Sequence, residues 1–271
     1  MIQESLKKSI ALVPWKWRGR IKRLPLVAPL QRWLLARFLE GREFVHTVDA
    51  GPARGLNYPV RLPDDKGIWT GTYELEFSQL LAQAVKPGEA ALDIGGWHGF
   101  FGGVMALAGA SRVFIFEPMP ANCAQIKKMI SLNPNLPLEL VEAAVSDAEG
   151  MIDFVLMGES SMGKLANSSF QADNQTAQRI QVRTVALDEL LTAGKINAPA
   201  MMKIDVEGAE LQVLKGARQL LAAGRPALFI EIHSRQLGRE CRDFLVALGY
   251  EIEVLEPGEP EVCHFVAKAK I

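Results

Sequence analysis

The chain has 271 residues, 49% of them hydrophobic and 23% charged, with a formal net charge of −1. Such a composition belongs to a globular protein with one substantial core and excludes a disordered or low-complexity chain. Its three cysteines, Cys123, Cys241 and Cys263, form no CxxC or Cys/His cluster, which argues against a disulfide framework or a structural zinc site and for a reducing cytosol.

The near-zero charge hides an asymmetry. Residues 1–43 carry ten lysines and arginines against three glutamates, while the remainder carries 20 basic against 28 acidic residues. In this basic stretch, segment 30–39 places Leu30, Trp33, Leu34 and Phe38 on one helical face, with Arg32 and Arg37 off it. The pattern predicts a basic amphipathic helical extension over 1–43, either packed on the domain or lying on an anionic membrane surface at the inner face. No apolar run reaches the length of a membrane span, and no secretory signal pattern is present.

Residues 44–88 form the next part. Turn signals between short β-type runs over 44–68 predict a small hairpin, and 74–85 reads as a helix stopped by Lys86-Pro87-Gly88. From 89 to 271 strand and helix alternate. Nearly continuous apolar runs at 90–95, 112–117, 138–145, 200–205 and 226–232 predict strands covered on both faces. Helices are expected at 99–109, 120–132, 208–222 and 236–248, and a final antiparallel hairpin over 250–256 and 262–269. The expectation is an α/β fold with a mostly parallel seven-stranded sheet closed by a C-terminal antiparallel hairpin. Between the third and fourth strands, 149–156 and 180–186 look like strands, and the polar stretch 158–178 reads as a substrate lid or a surface loop.

Five strand ends carry polar residues. The first apolar run ends in Asp93, followed by Ile94-Gly95-Gly96-Trp97-His98-Gly99. Gly95 permits the tight turn and Gly99 close packing of the next helix, whose N-terminus and turn amides suit the carboxylate of a methionine moiety. Asp93 suits its ammonium group. A dinucleotide site would need glycine two positions after Gly95, where Trp97 stands. S-adenosylmethionine is therefore the expected ligand. Glu117 ends the second run, where an acidic side chain accepts hydrogen bonds from ribose hydroxyls. Asp147 follows the third run, at the level of an adenine amine, though Ser-Asp-Ala-Glu-Gly is also a good turn.

The fourth run ends in Lys203-Ile204-Asp205-Val206-Glu207-Gly208-Ala209-Glu210. Three carboxylates and a lysine at a strand end are costly to desolvate unless paired or used, so Asp205 and Glu207 are candidate site residues. Glu207 and Glu210 also suit a helix start. The fifth run ends in Glu231-Ile232-His233; alternation puts Glu231 and His233 on one face, and His233 is a candidate general base.

These segments together resemble the FkbM-type family of S-adenosylmethionine-dependent methyltransferases. The resemblance rests on Trp69-x-Gly71-x-Tyr73-Glu74, Asp93-x-Gly95-x-x-x-Gly99, Phe116-Glu117-Pro118-x-Pro120, Ala144-Val145-Ser146-Asp147, Lys203-Ile204-Asp205-Val206-Glu207-Gly208-x-Glu210 and Glu231-Ile232-His233, in the family's order over residues 69–235. It implies a Rossmann-like class I methyltransferase fold over 89–271 and methylation of a hydroxyl on a sugar, glycolipid or secondary metabolite. It also implies a place for Tyr73 beside Asp93, Gly95, Gly96, Trp97, His98, Gly99, Glu117 and Asp147 at the methyl donor, with Asp205, His233, Glu207 and Glu231 at the chemistry. The chain departs from the family at Gly96-Trp97, where Ala-Asn is common, and at His98, which becomes a second candidate base. A divalent metal on Asp205 and Glu207 is compatible with the motif but not required by it. Two rivals remain: an NAD-dependent oxidoreductase, and a non-catalytic adaptor on the same scaffold. Nucleic acid is not an expected partner, because 89–271 is net acidic.

Overall fold

A computed structural model describes residues 43–156, 163–165, 179–256 and 263–270. The expected helix over 30–39 and the expected lid over 158–178 lie outside the described residues, apart from a three-residue strand at 163–165.

The chain starts with an antiparallel hairpin, β1 (Glu43–Thr47) and β2 (Asn57–Arg61), then α1 (Lys66–Thr70) and α2 (Leu75–Ala84). The main sheet follows with β3 (Ala90–Ile94), α3 (Phe100–Leu107), β4 (Arg112–Phe116), α4 (Pro120–Leu132) and β5 (Leu138–Val141). After an inserted sheet, β6 (Ala144–Val145), β7 (Gly150–Leu156), β8 (Gly163–Leu165) and β9 (Arg179–Val185), come α5 (Leu187–Thr192) and β10 (Pro199–Ile204). Then come α6 (Glu210–Gly216), α7 (Arg218–Gly224), β11 (Ala227–Ile232), α8 (Arg235–Ala247), β12 (Tyr250–Val254) and β13 (Cys263–Ala269).

The large sheet has seven strands in the order β12-β13-β11-β10-β3-β4-β5, all parallel except β13, which runs against both neighbours. Side chains alternate between its faces. Leu92, Ile94, Phe114, Phe116, Met202, Ile204, Leu228 and Ile230 enter one core, with α5 to α8. Ala91, Val113, Ile115, Met201 and Phe229 enter the other, with α2, α3 and α4. Leu56, Tyr58, Val60 and Leu62 of the hairpin region belong to this second core, so the lead-in over 44–88 shares its packing with the sheet.

Two expected elements are divided. The run 138–145 is two strands: β5 pairs with β4 in the large sheet, whereas β6 pairs with β9 in a separate four-stranded sheet of order β6-β9-β7-β8. The turn at Glu142-Ala143 transfers the chain between sheets. The expected helix 208–222 breaks into α6 and α7 at Gly216-Ala217. A Cβ on Gly216 would run into the carbonyl oxygen of Ser146, so this contact between α6 and β6 admits only glycine.

The chain runs outward through β3, β4 and β5 and returns to β10 and β11 on the other side of β3. The reversal opens a crevice beyond the carboxyl ends of β3 and β10, the place where open α/β sheets bind ligands.

Candidate active site

The loop after β3 owes its shape to glycine. Gly95 has φ +76°, and a Cβ on it would overlap the backbone oxygen of Asp205 across the crevice. The amides of Gly95 and Gly96 both donate to the Phe116 carbonyl, 3.0 Å each, and Gly99 N donates to Gly96 O at 2.6 Å. These amides, expected at a ligand carboxylate, are consumed in fastening the loop to β4 and to itself. Trp97, at φ +47°, donates its amide to Glu117 Oε2 at 3.0 Å. Its ring stacks between His98, at a 4.0 Å centroid distance, and Tyr73, at 6.1 Å.

Glu117 follows β4 and is 5% exposed. Its Oε1 accepts from Met119 N at 2.9 Å and Asn122 Nδ2 at 3.2 Å. Burial pushes its pKa up to about 7 against the pull of these hydrogen bonds.

Asp93 and Lys203 are register partners on β3 and β10, on the α3 face of the sheet. Both are buried, and Lys203 Nζ lies 3.5 Å from Asp93 Oδ1, 3.3 Å from Asp205 Oδ2 and 2.8 Å from Gly95 O. Burial works against the ammonium, but Asp205 and Asp93 hold its pKa above the ordinary lysine value. Burial raises the Asp93 pKa, with Lys203 opposing.

His233, just past β11, is 9% exposed and ringed by carboxylates. Its Nδ1 is 2.7 Å from Glu210 Oε1; its Nε2 is 3.3 Å from Glu207, and 3.8 Å from both Asp205 and Glu231. Burial lowers its pKa, but Glu210, Glu207 and Asp205 more than compensate, raising it to about 9. With Glu210 at Nδ1 and three carboxylates around Nε2, the surroundings favour the protonated ring over one that offers a lone pair. Burial and Asp205 raise the Glu231 pKa.

A cavity of about 270 Å³, near the lower end for small-ligand sites, occupies the crevice. Gly95, Gly96, Trp97, Glu117 and Asn122 line it together with Tyr73, Glu74, Lys203, Asp205 and Glu207, and Phe154 of β7 contributes from the inserted sheet. Of the residues expected at the ligand, Asp93, His98, Gly99, Asp147, Glu231 and His233 do not line this cavity. Asp93 is fully buried, with Lys203 Nζ 3.5 Å from its Oδ1. Asp147 is exposed and accepts a hydrogen bond from Ser146 Oγ at 3.1 Å, the turn alternative. His98 packs on Trp97, outside the cavity lining, and burial lowers its pKa to about 4, so the ring is held in its neutral form. Conversely, Glu74, Asn122, Lys203 and Phe154 line the cavity without having been expected at the ligand. Asn122 lies five residues past Glu117 and could be found only by its reach back to that carboxylate; Phe154 carried no local signal.

Residues 91–252 match the methyltransferase FkbM domain family. The chain belongs to the FkbM methyltransferase family. Its FkbM domain runs from β3 to β12, so every cavity residue except Tyr73 and Glu74 falls inside it. AglP of Haloferax volcanii, a hexuronic acid methyltransferase, is 29% identical over 124 residues, 46% of this chain and 48% of its own. NoeI of Sinorhizobium fredii, a 2-O-methyltransferase, is 28% identical over 159 residues, 54% of this chain and 65% of its own. The match therefore spans between about half and two thirds of these relatives' lengths. Among solved structures, the FkbM methyltransferase of Methylobacillus flagellatus KT aligns with a TM-score of 0.49 at 17% identity, over 76% of this chain and 56% of that one. M. jannaschii TYW2 in complex with AdoMet aligns with a TM-score of 0.48 at 15% identity, over 85% and 87%.

The acidic edge of this FkbM domain carries its own counter-charges. Asp205 faces Lys203 and His233, and Glu207 faces His233. Asp205, Glu231 and His233 also bring one atom each within 4.8 Å of the others, close enough to share a cation as well as to form an ion-pair network. Among the described residues no helix is long and apolar enough to cross a membrane.

Proposed function

We propose that this chain is an S-adenosylmethionine-dependent O-methyltransferase acting on a hydroxyl of a sugar, glycolipid or secondary metabolite. One observation carries the proposal: Glu117, Asp205 and the Gly95-Gly96 turn meet on a single cavity at the strand reversal of an FkbM domain.

The charge of the cavity suits the methyl donor. Glu74, Glu117, Asp205 and Glu207 line it against one cation, Lys203, whose ammonium is already engaged by Asp93, Asp205 and the Gly95 carbonyl. Such a wall favours a ligand of net positive charge, and S-adenosylmethionine, with a sulfonium, an ammonium and one carboxylate, is one. The doubly charged pyrophosphate of NAD would meet four carboxylates and no spare cation among the described residues, which weighs against the oxidoreductase alternative.

When bound, the donor supplies an electrophilic methyl group on sulfur. Glu117 would hold the ribose hydroxyls, while Phe116, Val145, Met119 and Phe154 offer apolar wall for the base. Holding donor and acceptor collinear is the main task, and positioning of this kind lowers barriers by several kcal/mol. The acceptor hydroxyl loses a proton as its oxygen gains the methyl. Asp205 and Glu207, the carboxylates on the cavity beside His233, are the groups we assign to take it, for a gain of about 10²–10⁴-fold. The names of AglP and NoeI, a hexuronic acid methyltransferase and a 2-O-methyltransferase, support a sugar hydroxyl as acceptor. We assign the basic residues 1–43 to contact with an anionic membrane surface, which would bring the domain to a lipid-linked acceptor.

Calorimetry of the full chain with S-adenosylhomocysteine and, separately, NAD tests the donor. The expected result is binding of the first and not the second; binding of NAD alone overturns the proposal. Untargeted glycolipid and metabolite profiling of a deletion strain then tests catalysis: the expected change is a compound lighter by one methylene, and an unchanged profile alongside S-adenosylhomocysteine binding would favour the adaptor alternative.

A further inference from the structure

Glu210 is fully buried at the start of α6, 23 residues from the histidine that it touches. Its Oε1 accepts from Gly208 N at 3.0 Å and sits 2.7 Å from His233 Nδ1. A carboxylate taken wholly out of water needs a matched partner, and the imidazole is the cation that meets it. With Nδ1 tied down, only Nε2 remains to face the site. There it meets three carboxylates from two elements: Glu207 at 3.3 Å and Asp205 at 3.8 Å from the segment after β10, and Glu231 at 3.8 Å from β11.

We propose that Glu210 is a positioning residue that orients His233 through Nδ1, so that its Nε2–H gathers Asp205, Glu207 and Glu231 at the cavity edge and the proton acceptor is a carboxylate, not the imidazole. A neutral histidine base would need a bare Nε2 lone pair pointing at the acceptor hydroxyl. Here a lone pair on Nε2 would point at three carboxylates, an arrangement that a proton on Nε2 turns from repulsive to attractive. The groups around the ring all act in that direction or are already spent. Lys203 on β10 is held by Asp205 and Asp93, His264 on β13 lies beyond Glu231, 3.8 Å from its other oxygen, and the Cys241 thiol of α8 is itself pushed up by burial and by Glu210. The clamp explains how Asp205 and Glu207 can stand together on the cavity wall without splaying apart. It rests on the proposed function only for its catalytic meaning.

The chain has four histidines, few enough to follow each ring by NMR in the labelled full-length protein. The expected wild-type result is a ring assigned to His233 that stays protonated well past neutrality, with a low-field Nδ1 proton hydrogen-bonded to Glu210. E210Q keeps an oxygen acceptor but removes the charge; it should lower the proton affinity of His233 at least tenfold, leave His98 unmoved and change S-adenosylhomocysteine affinity less than threefold. A His233 ring that titrates at the ordinary histidine value in the wild type, or that E210Q fails to move, overturns the proposal. If E210Q does not fold, the wild-type titration and the Nδ1 resonance decide alone. Absence of S-adenosylhomocysteine binding, with the His233 titration as expected, would instead sink the methyltransferase proposal and leave the clamp standing.

Discussion

Replacing Lys203 by methionine removes one cation from a place that solvent hardly reaches. Lys203 and Asp93 are 4% and 0% exposed at the side chain, so their 3.5 Å pairing is hardly screened, whereas Asp205, at 28%, keeps partial hydration when it loses its partner. Breaking a buried pair by deleting one member costs about 3–5 kcal/mol, because the other charge stays behind. The lost bond to the Gly95 carbonyl lies within that figure. Urea unfolding at pH 8 should therefore place K203M about 3–5 kcal/mol below wild type. Asp93 then has burial raising its pKa with no lysine to oppose it. An acid whose folded pKa lies above its unfolded value gains stability as pH falls, so the deficit should narrow toward pH 5. D93N in the K203M background removes the stranded charge, and the double variant should be more stable than the two single costs predict by about 1–3 kcal/mol. A K203M cost under about 1 kcal/mol at pH 8, or strict additivity in the double variant, would refute the reasoning.

Other perturbations probe different parts of the molecule. Glu117, raised from 4.5 to about 7, holds a proton in the folded state across that interval, so apoprotein stability should decline by roughly 3 kcal/mol from pH 4.5 to pH 7, and E117Q should flatten the curve. The same proton must leave before the carboxylate can accept ribose hydroxyls. S-adenosylhomocysteine affinity should weaken by up to tenfold per pH unit below 7, and a flat affinity between pH 5.5 and 8 would count against Glu117 as the ribose partner. G216A forces a methyl group against the Ser146 carbonyl and should cost about 1–3 kcal/mol in thermal or urea unfolding, while an unchanged midpoint would mean that α6 and β6 separate easily. Exhaustive EDTA treatment should leave turnover intact, whereas loss that magnesium restores would assign a metal to the acidic edge. Deletion of residues 1–43 should abolish flotation with anionic liposomes; equal flotation with and without them would remove the membrane assignment.

The strand ends were legible because buried parallel strands read as apolar runs, and Asp93, Glu117, Asp205 and His233 each terminate or follow one. The glycine turn was legible too, but its amides were not: only the fold shows Gly95 and Gly96 donating to Phe116 instead of to a ligand. The role of Asp93 changed for a similar reason. Alternation puts it on the same face as Lys203, and cross-strand register, which local sequence does not carry, makes them neighbours. The chain's change of sheet at Glu142-Ala143 left little trace in the run 138–145, where Glu142 is one of two charges in an otherwise apolar stretch. The charge state of His233 depends on Glu210, a residue whose own neighbourhood suggested only a helix start. Local pattern located the site, and contacts across long sequence separations decided what its residues can do.

Phe154 reaches the cavity from a sheet that the parallel core does not need. Glu117, Asp205 and Glu207 come from the segments after β4 and β10, whereas β7 enters between β5 and α5 as an excursion from the main sheet. A change in β7 would therefore alter one apolar patch of the cavity and leave Glu117, Lys203, Asp205 and Glu207 where they stand. The apolar lining can be varied through a graft while the charged lining stays with the frame.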